Sequence, residues 1–273
     1  MSSACDSCPS KSGCTSKESC PSLNGPQKNP KIKTVIGIAS GKGGVGKSFV
    51  TAMLGSALSK KGYKVGILDA DITGPSIPRA FGLTEKLTAT EDNKLVPVTT
   101  KGGIKTVSLN LLMPDEKAPV IWRGPVLSGV VKQFWEDTDW GMLDVLLIDM
   151  PPGTGDVPLT LYQSLPIDGI ILVSTPQDLV SMIVSKARNM AAAMKVNVLG
   201  LVENMSYVTC PHCGEAISLF GDDSSLSDFD ILDKLPLDPS VTALVDSGKT
   251  EDADQSVLDN TAGLIEAMIK AQN

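Results

Sequence analysis

Continuous apolar runs recur along this chain and alternate with stretches of helical spacing. Val35-Ile36-Gly37-Ile38-Ala39, Val65-Gly66-Ile67-Leu68, Val145-Leu146-Leu147-Ile148, Ile170-Ile171-Leu172-Val173 and Val198-Leu199-Gly200-Leu201-Val202 are such runs. None alternates with polar residues, so each reads as a strand buried on both faces of a parallel sheet. Between them, Met53, Leu54, Ala57 and Leu58 recur at helical spacing from Phe49 to Lys61, with Gly62 as the stop. Further helices are expected from about Leu179 to Met194 and from about Ser256 to Ala271. A helix through Phe134 and Trp135 would place those aromatics in the core. Residues 84–105 are polar and turn-rich, with hairpin-like patches such as Leu95-Val96-Pro97-Val98, and read as a surface excursion. The pattern is that of an α/β protein.

The first run ends in Gly41-Lys42-Gly43-Gly44-Val45-Gly46-Lys47-Ser48 and a helix follows. This is G-x-x-x-x-G-K-[ST], a phosphate-binding P-loop, in its required strand–loop–helix setting. The glycines let backbone N–H groups turn inward around the phosphates, and the helix N-terminus adds a positive dipole. Lys47 would reach the β- and γ-phosphates, and the Ser48 hydroxyl would ligate Mg²⁺. The chain is expected to bind a nucleoside triphosphate.

Acids at the ends of later runs extend this site. Val65–Leu68 ends in Asp69-Ala70-Asp71, and carboxylates there point toward the ligand edge of a parallel sheet. Asp71, on the loop with Ile72-Thr73-Gly74-Pro75-Ser76, is assigned to the attacking water, with Asp69 nearer the Mg²⁺. Either could instead cap a helix or turn. Asp149 closes the run Val145–Ile148 in the Walker B manner and would hold Mg²⁺ or its water shell. The stiff loop Met150-Pro151-Pro152-Gly153-Thr154-Gly155-Asp156 leaves Gly153 free to approach the γ-phosphate, as a nucleotide switch requires. Asn204 and the Pro236-Leu237-Asp238-Pro239 loop are placed to frame the base.

Composition narrows the setting. With 42% hydrophobic residues in a 273-residue chain, a full core is available, while the net charge of −7 argues against nonspecific nucleic-acid binding. No run reaches the ~18 apolar residues of a membrane span, and the final helix carries only Lys270 on its basic side. A cytosolic protein without nucleic-acid or membrane partners is expected. Its six cysteines are then metal ligands or redox groups rather than disulfides.

Four of them, Cys5, Cys8, Cys14 and Cys20, stand as C-x2-C-x5-C-x5-C in residues 1–30, whose only large aliphatic side chain besides Met1 is Leu23. Such a tail cannot bury a core, but a metal centre would supply folding energy. An iron–sulfur cluster and a structural zinc both take four thiolates, and the spacing leaves the two open. The remaining pair lies in Cys210-Pro211-His212-Cys213-Gly214, a knuckle that bends both thiolates toward one ion. His212, the one histidine, would point away. The missing ligands come either from the tail or from the same pair on a second copy, where twofold symmetry makes four.

Taken together, these motifs are those of a known family. Lys42, just after the first glycine, resembles the extra lysine of the deviant Walker A ATPases, which include MinD, ParA and the nitrogenase iron protein. That resemblance implies that Lys42 reaches a partner's phosphates across a nucleotide-sandwich dimer. With Trp122-Arg123-Gly124-Pro125, Asp149 to Asp156 and Cys210 to Gly214, the chain from about 31 to 270 resembles the Mrp/ApbC family of P-loop ATPases. The resemblance implies a doubly wound fold, a homodimer, and a labile [4Fe–4S] cluster held between subunits by Cys210 and Cys213. It further implies transfer of that cluster to apo iron–sulfur proteins. The tail resembles that of the cytosolic scaffold branch, although Cys20 lies downstream where that branch has a distant upstream cysteine. The expected organisation is a metal-binding tail over 1–30 and an ATPase domain over 31–273. Pairing with a related ATPase, a MinD- or ParA-like positioning role, and an iron-protein-like reductase are the alternatives. The reductase would need a second bridging loop, and the loop after Asp149 contains no cysteine.

Overall fold

The computed structural model describes residues 26–71, 74, 76–113, 124–176, 178–219 and 229–272. Cys5, Cys8, Cys14, Cys20, Ile72, Thr73, Pro75, Trp122 and Arg123 lie outside the described residues.

Each apolar run is a strand, and each periodic stretch is a helix. In chain order they are β1 (Ile32–Ala39), α1 (Lys47–Lys60), β2 (Val65–Asp69) and the short α2 (Ile77–Ala80). Four small strands follow, β3 (Thr88–Ala89), β4 (Leu95–Val96), β5 (Val98–Thr99) and β6 (Lys105–Val107). Then come α3 (Gly124–Glu136), β7 (Leu143–Asp149), α4 (Asp156–Ser164), β8 (Gly169–Ser174) and α5 (Asp178–Ala193). The chain closes with β9 (Val198–Thr209), β10 (Ala216–Ser218), β11 (Ile231–Pro236), α6 (Pro239–Asp246) and α7 (Asp259–Ala271).

Among the described residues the main sheet runs β10-β9-β8-β1-β7-β2-β6-β5, with β11 also paired to β9. Its centre is parallel, β1 lying between β7 and β8 and β2 beyond β7. Helices cover both faces. One face holds Leu146, Ile148, Ile170 and Leu172 with Phe134, Trp135 and Val184. The other holds Ile36, Ile38, Leu147 and Val173 with Met53, Leu54, Leu58, Ile265 and Ile269. Alternate residues of one strand therefore serve two cores, which is why the strands read as unbroken apolar runs.

Two expectations need correction. Residues 84–105 are not only an excursion: β6 pairs parallel with β2, β5 closes that edge, and only β3 and β4 stand apart. A run of two or three residues interrupted by turns falls below what periodicity can register. Nor does β9 stop at Val202. It continues to Thr209 through Met205, whose φ is +56, and its register with β11 shifts there. Asn204 is thus within a bulged strand rather than just past one.

Candidate functional site: a phosphate cradle and a cysteine knuckle joined by one strand

The carboxyl ends of β1, β2 and β7 lie side by side, with Asp69 opposite Asp149 in register. The ladder continues past them: the Met150 N–H donates to the Ile38 carbonyl, and the Ala70 N–H to that of Asp149. The Gly153 N–H, on the loop after β7, donates to the Ser40 carbonyl at 2.9 Å and ties that loop to the P-loop stem. Three loops are thereby held at one edge, where doubly wound sheets take their ligands.

Lys47 opens α1 with its side chain almost wholly buried, 2.7 Å from Asp149 Oδ1 and 3.5 Å from Asp71 Oδ2. Asp149 is fully buried and also accepts from Ser48 Oγ at 2.5 Å and Thr51 Oγ1 at 3.0 Å. Thr51 was not singled out in the sequence. Its signal is its place one turn beyond Lys47, a hydroxyl on a helix face otherwise apolar. Ser48 and Asp149 together form an all-oxygen donor pair, the chemistry that suits Mg²⁺.

Asp69 stands behind this group. It accepts from Ser108 Oγ at 3.0 Å and from the Asp71 N–H at 3.2 Å, and it is completely buried. Burial first, and then the neighbouring charges of Asp149 and Asp71, push its pKa up to about 8, against the pull of Lys47 and Ser108. A carboxyl in that state props the loop as a hydrogen-bonded neutral group, whereas Asp71 faces the cavity. Ser108 follows β6, the strand that periodicity missed.

A 350 Å³ cavity opens over the P-loop. Gly43, Gly44, Lys47 and Ser48 form its floor, Asp71 and Gly74 one side, Pro152 another, and Arg79 of α2 a further wall. A second cavity of 280 Å³ shares Gly46, Phe49, Val245 and Asp246 with it. Asn204, Pro236 and Asp238 line that second space, together with the apolar Met53, Leu235 and Val241. A trough floored by the P-loop thus leads into a slot lined by Met53, Leu235 and Val241. Asn204 joins the two, because its Nδ2 donates to the Val45 carbonyl at 2.9 Å. Gly46, with φ +86, would place a Cβ 2.1 Å from that same nitrogen, so only glycine fits there. Asp238 caps α6 by accepting from the Ser240 N–H at 2.7 Å. Gly41 and Val45 complete the loop, Val45 buried beneath it, and Lys42 is exposed at its rim.

Past Asn204, β9 carries the chain to the knuckle. Cys210 donates its N–H to the Glu215 carbonyl and accepts from the Gly214 N–H at 2.9 Å, which closes the turn before β10. Hydrogen bonds from the Cys213 and His212 N–H groups, and from the Cys213 side chain, hold the Cys210 thiol below its usual pKa. The turn thus favours thiolate, the form that binds metal. Cys210 is half-buried, while His212 and Cys213 are exposed. Among the described residues, no group of three or more His, Cys, Asp or Glu side chains gathers to hold a metal ion. Exposed Ile217, Leu219 and Leu237 lie nearby in sequence or across the β9 pairing.

Comparison with known proteins places this geometry. The model of the ParA group described as NUBPL iron-transfer P-loop NTPase matches residues 31–270. A protein of Clostridium perfringens named iron-sulfur cluster carrier protein is 49% identical over 267 residues, 91% of this chain and 94% of that one. The cytosolic Fe-S cluster assembly factor CFD1 of Kluyveromyces lactis is 43% identical, over 82% of this chain and 83% of its own length. A nucleotide-binding protein from Archaeoglobus fulgidus, solved in complex with ADP, superposes with a TM-score of 0.73 at 43% identity, covering 82% and 90% of the two chains. The MinD protein in the MinC:MinD complex of Aquifex aeolicus, at 20% identity and a TM-score of 0.63, shares the fold.

Proposed function

Since this chain belongs to the NUBPL iron-transfer P-loop NTPase family, we propose that it is an ATP-hydrolysing carrier whose cargo is an iron–sulfur cluster. One observation carries the reading: β9 holds Asn204, bonded to the P-loop, and runs directly into Cys210, the first thiol of the knuckle. Nucleotide and cargo would be held at either end of one short stretch of chain, Asn204 to Cys213.

In this reading Lys47 and the P-loop N–H groups grip the phosphates, and nucleotide draws Lys47 away from Asp149 and Asp71. Mg²⁺ held by Ser48 and Asp149 would neutralise charge between the β- and γ-phosphates. Asp71, released from Lys47, accepts a hydrogen bond from the attacking water and orients it. Gly153, tied to the P-loop stem through its N–H, would approach the γ-phosphate, and Asn204, Pro236 and Asp238 would frame the base. Lys42, exposed at the rim, would reach the phosphates bound by a second copy.

Cys210 and Cys213 offer two thiolates, and a [4Fe–4S] cargo takes four. We infer that two copies meet at the knuckle and share the cluster, which passes on to apo iron–sulfur proteins. A related ATPase could take the place of the second copy. Cys5, Cys8, Cys14 and Cys20, in the proposed tail of residues 1–30, would hold a separate centre. The body, 31–273, would work in the cytosol. Among the described residues, no helix is long and apolar enough to cross a membrane. The apolar side of α7 is spent on the core through Ala262, Ile265 and Ile269, which leaves it unavailable as an anchor.

The test is anaerobic reconstitution with iron and sulfide, followed by transfer to an apo acceptor with and without ATP. Transfer that ATP accelerates, and that Cys213→Ala eliminates while ATP binding persists, is the expected result. Tight retention of the cluster with ATP-coupled electron transfer would instead favour a reductase.

A further inference from the structure

The phosphate cavity contains a cation that no P-loop motif specifies. Among the described residues lining it, only Lys47 and Arg79 are basic. Lys47 already faces the carboxylates of Asp149 and Asp71 at 2.7 and 3.5 Å, so these acids offset its charge. A polyanionic ligand entering this space would be favoured by a further positive group. Arg79 makes no ion pair among the described residues, and its side chain is exposed to the cavity mouth.

The backbone beneath Arg79 is unusually well fixed for so short a helix. The Gly82 N–H donates to the Arg79 carbonyl and the Leu83 N–H to that of Pro78. Thr250 Oγ1 donates to the Ala80 carbonyl at 2.5 Å. Gly82 and Gly248 pack backbone to backbone, such that a Cβ on Gly248 would fall 2.6 Å from the Gly82 Cα. That contact pins α2 to the segment after α6, and Val245 and Asp246, the last residues of α6, wall both cavities. Arg79, without an ion pair among the described residues, thus stands on a rigid base, across the trough from Gly43 and Gly44.

We propose that Arg79 is a positioning residue for the nucleotide, its guanidinium hydrogen-bonding the phosphate chain from the side opposite the P-loop. A planar fork suits two oxygens of a phosphate, and it remains charged at every relevant pH. Because α2 directly follows the loop bearing Asp71, this contact would also hold that loop against the bound nucleotide. The inference rests on the nucleotide-binding reading of the cavity.

The experiment compares wild type, Arg79→Ala, Arg79→Lys and, as a control, Lys47→Ala. It reads the rise in melting temperature with MgATP, the ATP Kd by calorimetry, and KM and kcat. Without nucleotide, Arg79→Ala should melt with wild type, since the side chain buries nothing. With MgATP its thermal shift should shrink, and its Kd and KM should rise about ten- to a hundredfold, the range for a charged hydrogen bond. Arg79→Lys should recover part of the loss, because charge returns without the fork. Wild-type Kd and KM in Arg79→Ala would overturn the proposal, as would a Lys variant no better than Ala. If wild type itself showed no ATP shift, the nucleotide reading would fail and not this residue alone.

Discussion

At the scale of single residues, the site is a balance of buried charges. Lys47 neutralises Asp149, which is fully enclosed, and without it a carboxylate would stand uncompensated in the core. Lys47→Ala should therefore abolish ATP binding and also cost about 3–5 kcal/mol of stability without nucleotide. Asp149→Asn in that background should return much of the stability, as denaturant titration would reveal. Asp71→Ala should keep ATP affinity while turnover drops at least about a hundredfold, the scale of a misplaced reactive group. Full turnover in that variant would remove Asp71 from the chemistry. Asp69 leads to a pH prediction. Its folded-state pKa of about 8 lies above the unfolded value of ~3.9, so between them the folded chain keeps a proton that the unfolded chain has lost. Its contribution to stability must fall as pH rises across that window. Asp69→Asn should flatten the decline, and an unchanged pH slope of the melting temperature would count against it. The P-loop and Asp149 were legible in the sequence because each follows an apolar run. The hydrogen bond that holds Asp69 back from the cavity was not, since it comes from Ser108, which follows β6, a strand of three residues.

At the scale of elements, β9 carries most of what is particular to this molecule. It was readable as far as Val202, where the apolar run ends. Glu203, Asn204 and Ser206 look like the start of a loop, yet all three are buried, and Glu203 accepts a hydrogen bond from Ser206 and pairs with Lys234 of β11. Asn204 is satisfied by the P-loop and Glu203 by Lys234 as well as by Ser206, and no local pattern announces the distant partners. β11 escaped notice for the same reason: Ile231-Leu232-Asp233-Lys234-Leu235-Pro236 has charges in its middle, and Asp233 is secured by Thr261 of α7 at 2.8 Å. The tight fit of Gly46 against Asn204 predicts that Gly46→Ala pushes β9 away from the P-loop. ATP binding should be lost and the melting temperature lowered, since a left-handed φ costs an alanine about 1–3 kcal/mol. Near-normal ATP affinity in Gly46→Ala would show that β9 and the P-loop are not coupled there.

At the scale of the whole molecule, the doubly wound body was legible because both faces of its sheet are apolar, and the family model spans residues 31–270. Assembly is where the proposal goes furthest, because among the described residues each chain offers only Cys210 and Cys213 as thiol ligands for a shared cargo. Sedimentation combined with iron analysis tests this most directly, on the full chain with the tail thiols removed (C5S/C8S/C14S/C20S). The account predicts a dimer after reconstitution that holds one cluster per two chains, and loss of both cluster and cluster-dependent dimer in the further variant Cys213→Ala. A monomer carrying a complete cluster would contradict it.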